Sequence, residues 1–161
     1  MIFIGVDPGL KGAIALIDDD NAFVTDMPLC LGPIDRLRMV DTIAIREWVM
    51  DLIWSNASDI CGADDIYVMI ESPQWRKGLS AQSVCTTWFN FGRLTTAAVF
   101  HGWVPVEAAL WKHAMGVTKD KATSIALARE LFPAVAHELT DSKDGRSEAL
   151  LIAEYARRIH R

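Results

Sequence analysis

Residues 1–20 read MIFIGVDPGLKGAIALIDDD. An unbroken apolar run ends in Asp7, the turn residues PGLKG follow, and a second apolar run ends in Asp18, Asp19 and Asp20. Two short apolar runs joined by glycine and proline predict a β-hairpin, with strands over residues 2–7 and 12–18. The stretch IYVMIE, residues 66–71, repeats the pattern of an apolar run closed by an acid. A strand that is apolar at every position, rather than at alternate ones, belongs in the middle of a sheet covered on both faces.

Helical patterns surround these strands. Asp41 stands as an N-cap before apolar residues at helical spacing over 41–56, and Ser80 caps a long helix running to about residue 100. WVPVEA is a brief strand, AALWKHAM begins a short helix, and DKATSIALARELF is an amphipathic helix stopped by Pro133. A last helix is read over DSKDGRSEALLIAEY, residues 141–155, with carboxylates crowded into its first turn. Strands first, then strands alternating with helices, indicate an α/β domain with a mixed sheet. The 161 residues hold no repeat, low-complexity tract or dividing linker, so one domain over 1–161 is expected.

Composition narrows the classes. No apolar run approaches the ~18 residues of a membrane span, and no basic segment precedes an apolar one at the N-terminus. Cys30, Cys61 and Cys85 are isolated and lack metal-ligand spacing. They read as small buried hydrophobes in a reducing compartment, hence a cytoplasmic protein. The net charge is −5, but its distribution is uneven. Residues 1–70 carry 4 basic against 12 acidic side chains, a balance of −8, whereas residues 71–121 carry 6 against 3, a balance of +3. An acidic chain can still turn a basic face to a polyanion; a solvated mixed surface accounts for the same numbers.

The acids at the strand ends suggest chemistry. If those strands are parallel neighbours, Asp7 and Glu71 emerge together at the carboxyl edge of the sheet, where α/β sites form. Either acid alone also reads as the first solvated residue after a strand. In DSKDGRSEALLIAEY, residues 141–155, Glu148 shares a helical face with Leu151, Ile152 and Tyr155. An ionised carboxylate on such a face is costly unless something neutralises it. Asp144, one turn earlier, points the same way, and it can also cap the helix before Gly145. Four converging carboxylates would repel and raise one another's pKa values. A hard divalent cation removes that problem, and two ions about 4 Å apart are the usual device for in-line displacement at phosphorus. Two Mg²⁺ per site, with Mn²⁺ able to substitute, are therefore expected on Asp7, Glu71, Asp144 and Glu148. Gly9 and Gly12 flank the hairpin turn, where positive φ or close approach favours glycine.

With the acids placed, the sequence resembles the RuvC-type Holliday junction resolvases. IGVDPGLKGAIALID is similar to that family's first strand and hairpin, and VMIESP to its second acidic strand. LWKHAMGVTKDKATSIALARELFP followed by KDGRSEALLIAEYA resembles the phage and organelle branch, while residues 20–65 match only loosely. The resemblance implies a ribonuclease H-like fold, a five-stranded mixed β-sheet flanked by α-helices. It implies a homodimer that cuts branched, four-way DNA by paired symmetric nicks leaving 5′-phosphate ends. It also implies that Asp7 and Glu71 are metal ligands and that Glu148 is an acid of the last helix. Lys121 would lie near the metal site, stabilising charge on the phosphate. The bacterial pattern separates the last two acids by three residues, whereas Asp144 and Glu148 are four apart, so Asp141 stands as an alternative fourth ligand.

For DNA binding, SPQWRKGLSAQ follows Glu71. Arg76 and Lys77 can neutralise phosphates. Trp75 can stack on an unpaired base or fold back onto the core. Lys112, in the branch's WK pair, is a candidate backbone contact beside a core Trp111. Lys119 is a candidate DNA contact or a solvated helix end, and Arg146 is expected to face the cleft and hold a phosphate. No histidine is singled out.

Three other readings compete. The same carboxylates suit a ribonuclease H-like nuclease acting on structured RNA or an RNA–DNA hybrid. GVDPGLKGAIAL is also similar to the phosphate hairpin of actin-like ATPases and sugar kinases, which need two such lobes. A non-catalytic junction-binding protein would gain by losing four acids beside phosphate. The expectation is therefore a metal-dependent junction endonuclease, in the host-cell cytoplasm if phage-encoded, with no membrane partner.

Overall fold

A computed structural model describes residues 1–32, 38–56, 65–74, 78–97 and 102–160. Five strands form the main sheet: β1 (Ile2–Asp7), β2 (Ala13–Ile17), β3 (Ala22–Asp26), β6 (Ile66–Glu71) and β7 (Trp103–Val106), in the order β3-β2-β1-β6-β7. β2 runs antiparallel to both β1 and β3, whereas β1–β6 and β6–β7 are parallel. The expected mixed five-stranded sheet is present. A separate ribbon pairs β4 (Leu29–Leu31) with β5 (Arg38–Val40).

The unbroken apolar character of β1 follows from its central place. Phe3 points into the core shared with α3 (Ala108–Met115), α4 (Lys121–Leu131) and α5 (Asp144–His160). Ile2, Ile4 and Val6 point into the opposite core, which includes Ile45 of α1 (Thr42–Asn56) and Leu94 of α2 (Ala81–Ala97). At Gly5 the helix α5 reaches the strand itself. A Cβ there would lie 2.2 Å from the Ala149 carbonyl oxygen and 2.4 Å from the Ala153 nitrogen, so only glycine fits.

Local signals set the helix boundaries. Asp41 accepts hydrogen bonds from the Ile43 and Ala44 amides at 3.1 Å, and Ser80 accepts from Ser83 at 3.1 Å. Pro133 follows the end of α4 and opens a 3₁₀ segment, Pro133–Glu138. Several features differ from the sequence reading, β4 and β5 among them. The acids after β2 make a tight turn, in which Asp18 Oδ1 accepts from the Asp20 and Asn21 amides at 2.8 and 2.6 Å, and this turn starts the unexpected β3. Cys85 is exposed on α2 and Cys30 is half-buried, so neither is the buried hydrophobe expected; Cys61 lies outside the described residues. Among the described residues no helix is long and apolar enough to cross a membrane.

Candidate active site

Asp7 and Glu71 owe their proximity to strand register. β1 and β6 pair in parallel from Ile2↔Ile66 to Val6↔Ile70, and the next residue on each strand is an acid. Both therefore leave the sheet at its carboxyl edge. Helix α5 starts above that edge, because Gly145 packs against the hairpin turn, and this brings Asp144 and Glu148 to the same place. Gly12 in the turn is required for space, since a Cβ there would lie 2.1 Å from the Asp7 carbonyl oxygen; neither it nor Gly9 has positive φ.

The convergence registers on Asp7. Its pKa is raised from 3.8 to about 7, first by burial, then by the charges of Glu71 and Glu148, with Asp144 adding to them. A hydrogen bond from the Gly9 amide opposes the rise. All four expected acids thus share one electrostatic field, and Asp144 is the member from the 144/141 alternative that Asp7 feels. Asp141 lies in an exposed 3₁₀ turn, Asp141–Lys143.

Three of the four acids have a donor from α3 or α4. The Trp111 indole Nε1 donates to Glu71 Oε2 at 2.8 Å. Lys112 Nζ meets Glu148 Oε1 at 2.5 Å, and Lys121 pairs with Asp144. Glu148 therefore faces an ammonium rather than bare apolar side chains. The Asp144 pair, helped by the charges of Glu148 and Asp7, raises the Lys121 pKa. Among the described residues no three His, Cys, Asp or Glu side chains are grouped closely enough to hold one metal ion as they stand. The donor chemistry, all carboxylate oxygen with mutual repulsion at Asp7, nevertheless fits a hard divalent cation. Such an ion would take over the neutralising role that Lys112 and Lys121 now play.

Beside the acids lies an open cleft of about 910 Å³, lined by Gln74, Lys112, His113, Thr118, Lys119 and Lys121, with Asp144 and Glu148 in its wall. A cleft with three lysines beside clustered acids suits a polyanion.

No protein-family model and no curated protein matches the chain. Solved structures do. A Thermus thermophilus RuvC structure aligns with a TM-score of 0.60 over 99% of this chain and 97% of that one, at 16% identity. T. thermophilus RuvC in complex with a Holliday junction substrate aligns with a TM-score of 0.57 over 99% and 96%, at 15% identity. The chain shares its fold with these two structures. The ribonuclease H-like architecture expected from the sequence is thereby established.

Within this fold the expected site residues divide. Asp7, Glu71, Asp144, Glu148, Lys112 and Lys121 come together, and Lys119 lines the same cleft. Arg146 requires a correction. Its guanidinium is held by Asp26 Oδ1 and Glu138 Oε2, each at 2.6 Å, so it ties α5 to β3 and the 3₁₀ segment instead of facing the cleft. Trp75, Arg76 and Lys77 lie outside the described residues. Trp111 is wholly buried, as expected of a core residue, yet its bond to Glu71 went unforeseen. Nothing local in the sequence signals that bond, since its partners are 40 residues apart. Of the histidines, His113 lines the cleft, while His160 packs on the rings of Phe3 and Tyr67.

Proposed function

We propose that this chain is a metal-dependent endonuclease of the phage and organelle type, resolving four-way DNA junctions as a cytoplasmic homodimer of one nuclease domain. The observation that carries the reading is the coupling of four carboxylates, from β1, β6 and α5, at one sheet edge beside a lysine-lined cleft. The likeness in fold to RuvC supports it. Exposed Trp88 and Phe89 on α2 offer apolar surface that a second copy could cover.

Asp7, Glu71, Asp144 and Glu148 would hold two Mg²⁺, with Mn²⁺ able to substitute. Bound there, the ions would activate water and stabilise the departing oxygen of an in-line displacement at phosphorus. Lys121, mostly exposed at the cleft, reaches the phosphate and offsets charge that grows on it. Lys112 and Lys119 neutralise flanking phosphates. Burial of Asp7 beside the other acids favours a proton on it near neutral pH, which the cations would displace on binding.

End-labelled synthetic four-way junctions, linear duplex and an RNA–DNA hybrid, each in Mg²⁺ and in EDTA, test the proposal. Paired nicks near the crossover in Mg²⁺ alone, with duplex intact, are expected. Asp7→Asn and Glu71→Gln should abolish those nicks and leave junction binding in place. Cleavage confined to the hybrid would move the assignment to RNA processing, and binding without cleavage would make the chain a junction-binding module.

A further inference from the structure

Trp111 and Lys112 are consecutive residues of α3, yet they grip acids from two different elements. The Trp111 indole is 0% exposed and donates to Glu71 Oε2 at the end of β6. The Lys112 ammonium bonds Glu148 Oε1 on α5, and sits 5.0 Å from the centre of the Trp111 ring. The ring face therefore backs the cation while the ring edge holds the carboxylate, an arrangement in which each contact favours the other.

The two contacts affect a divalent cation in opposite ways. A neutral N–H on one carboxylate oxygen fixes the side chain without itself neutralising its charge. Outer partners of this kind orient metal ligands. An ammonium on a ligand carboxylate competes with the metal for the same charge.

Resting on the metal-site reading above, the geometry points to a division of labour within α3. Trp111 is a positioning residue that presents Glu71 to the cation, and Lys112 is a built-in counter-ion that the cation displaces from Glu148. Displacement sends the Lys112 ammonium toward the cleft that it already lines, so metal entry and phosphate capture are coupled. The site avoids four unneutralised acids when empty, and gains a phosphate-binding cation when filled.

The test is Mn²⁺ binding to the intact protein without DNA, followed by the electron paramagnetic resonance of free Mn²⁺, for wild type, Trp111→Phe and Lys112→Met. Trp111→Phe keeps an aromatic ring and removes the N–H; it should bind Mn²⁺ about 10- to 100-fold more weakly. Lys112→Met keeps the aliphatic stem and removes the competitor; it should bind about fivefold more tightly. The opposite signs are the signature, because a purely structural role would weaken binding in both. Unchanged affinity in a folded Trp111→Phe, or weaker binding in Lys112→Met, would overturn the inference. If Trp111→Phe does not fold, the wild-type protein decides: among its six tryptophan indole N–H resonances, a buried, solvent-protected one must move on Mg²⁺ addition, and its immobility would count against the proposal. Absence of Mn²⁺ binding in wild type would instead remove the metal-site reading on which the inference stands.

Discussion

Gly145 lies against Asp7 so closely that a Cβ at position 145 would be 3.0 Å from the Asp7 Oδ2 atom and 2.8 Å from the Lys11 carbonyl oxygen. The first turn of α5 is thus seated on the hairpin by the absence of a side chain. Gly145→Ala should push the helix start away from the sheet edge, at a cost of about 1–3 kcal/mol. Cleavage should fall more than stability explains, because Asp144 and Glu148 move with the helix. Chemical denaturation alongside junction cleavage checks both; full activity in the variant would contradict the seating.

The raised pKa of Asp7, from 3.8 to about 7, makes stability depend on pH. The folded chain keeps a proton that the unfolded chain gives up near pH 3.8, so this contribution is complete below that value and is lost as pH rises through about 7. Each unit of the rise corresponds to ~1.4 kcal/mol. Calorimetry between about pH 5 and pH 8 should show the wild-type Tm falling more steeply than that of Asp7→Asn. Mg²⁺ at the upper pH should restore the wild type selectively. Parallel profiles would rule out Asp7 as the titrating group.

Lys121 separates stability from activity. Its side chain is 67% exposed, so the pair with Asp144 contributes less than ~1 kcal/mol to folding. Lys121→Ala should therefore melt within a few degrees of wild type, yet cleave about 100-fold more slowly. A rate near that of wild type would exclude it from the chemistry.

Arg146 should behave in the reverse manner. Arg146→Ala removes the tie between Asp26 and Glu138 and should cost ~1–3 kcal/mol. Its junction affinity should keep the wild-type dependence on salt, whereas Lys119→Ala should lower that slope by about one unit. A reduced slope in Arg146→Ala would return the guanidinium to the DNA interface.

Much of this was legible in the sequence because central strands announce themselves. β1 and β6 are apolar throughout, being covered on both faces, and their terminal acids mark the sheet edge. Edge strand β3 escaped notice because AFVTD is only half-buried and follows a turn made of acids. Three-residue strands such as β4 and β5 carry too little pattern to read. Arg146 was misplaced by nearness in sequence to Asp144 and Glu148. Two residues along a helix turn a side chain through about 200°, which sends it to the far side. The Trp111–Glu71 bond had no local trace, since the partners are 40 residues apart and an indole buried in a core looks like any other.

The contact at Gly5 bears on how this protein can change over time. Because α5 rests on the backbone of β1 there, the spacing between the acids of the helix and those of the sheet is set by main chain against main chain. Side chains elsewhere in the two cores can drift in size and shape without retuning that spacing. A chain can in this way lose nearly all recognisable kinship in sequence and keep its four acids in step.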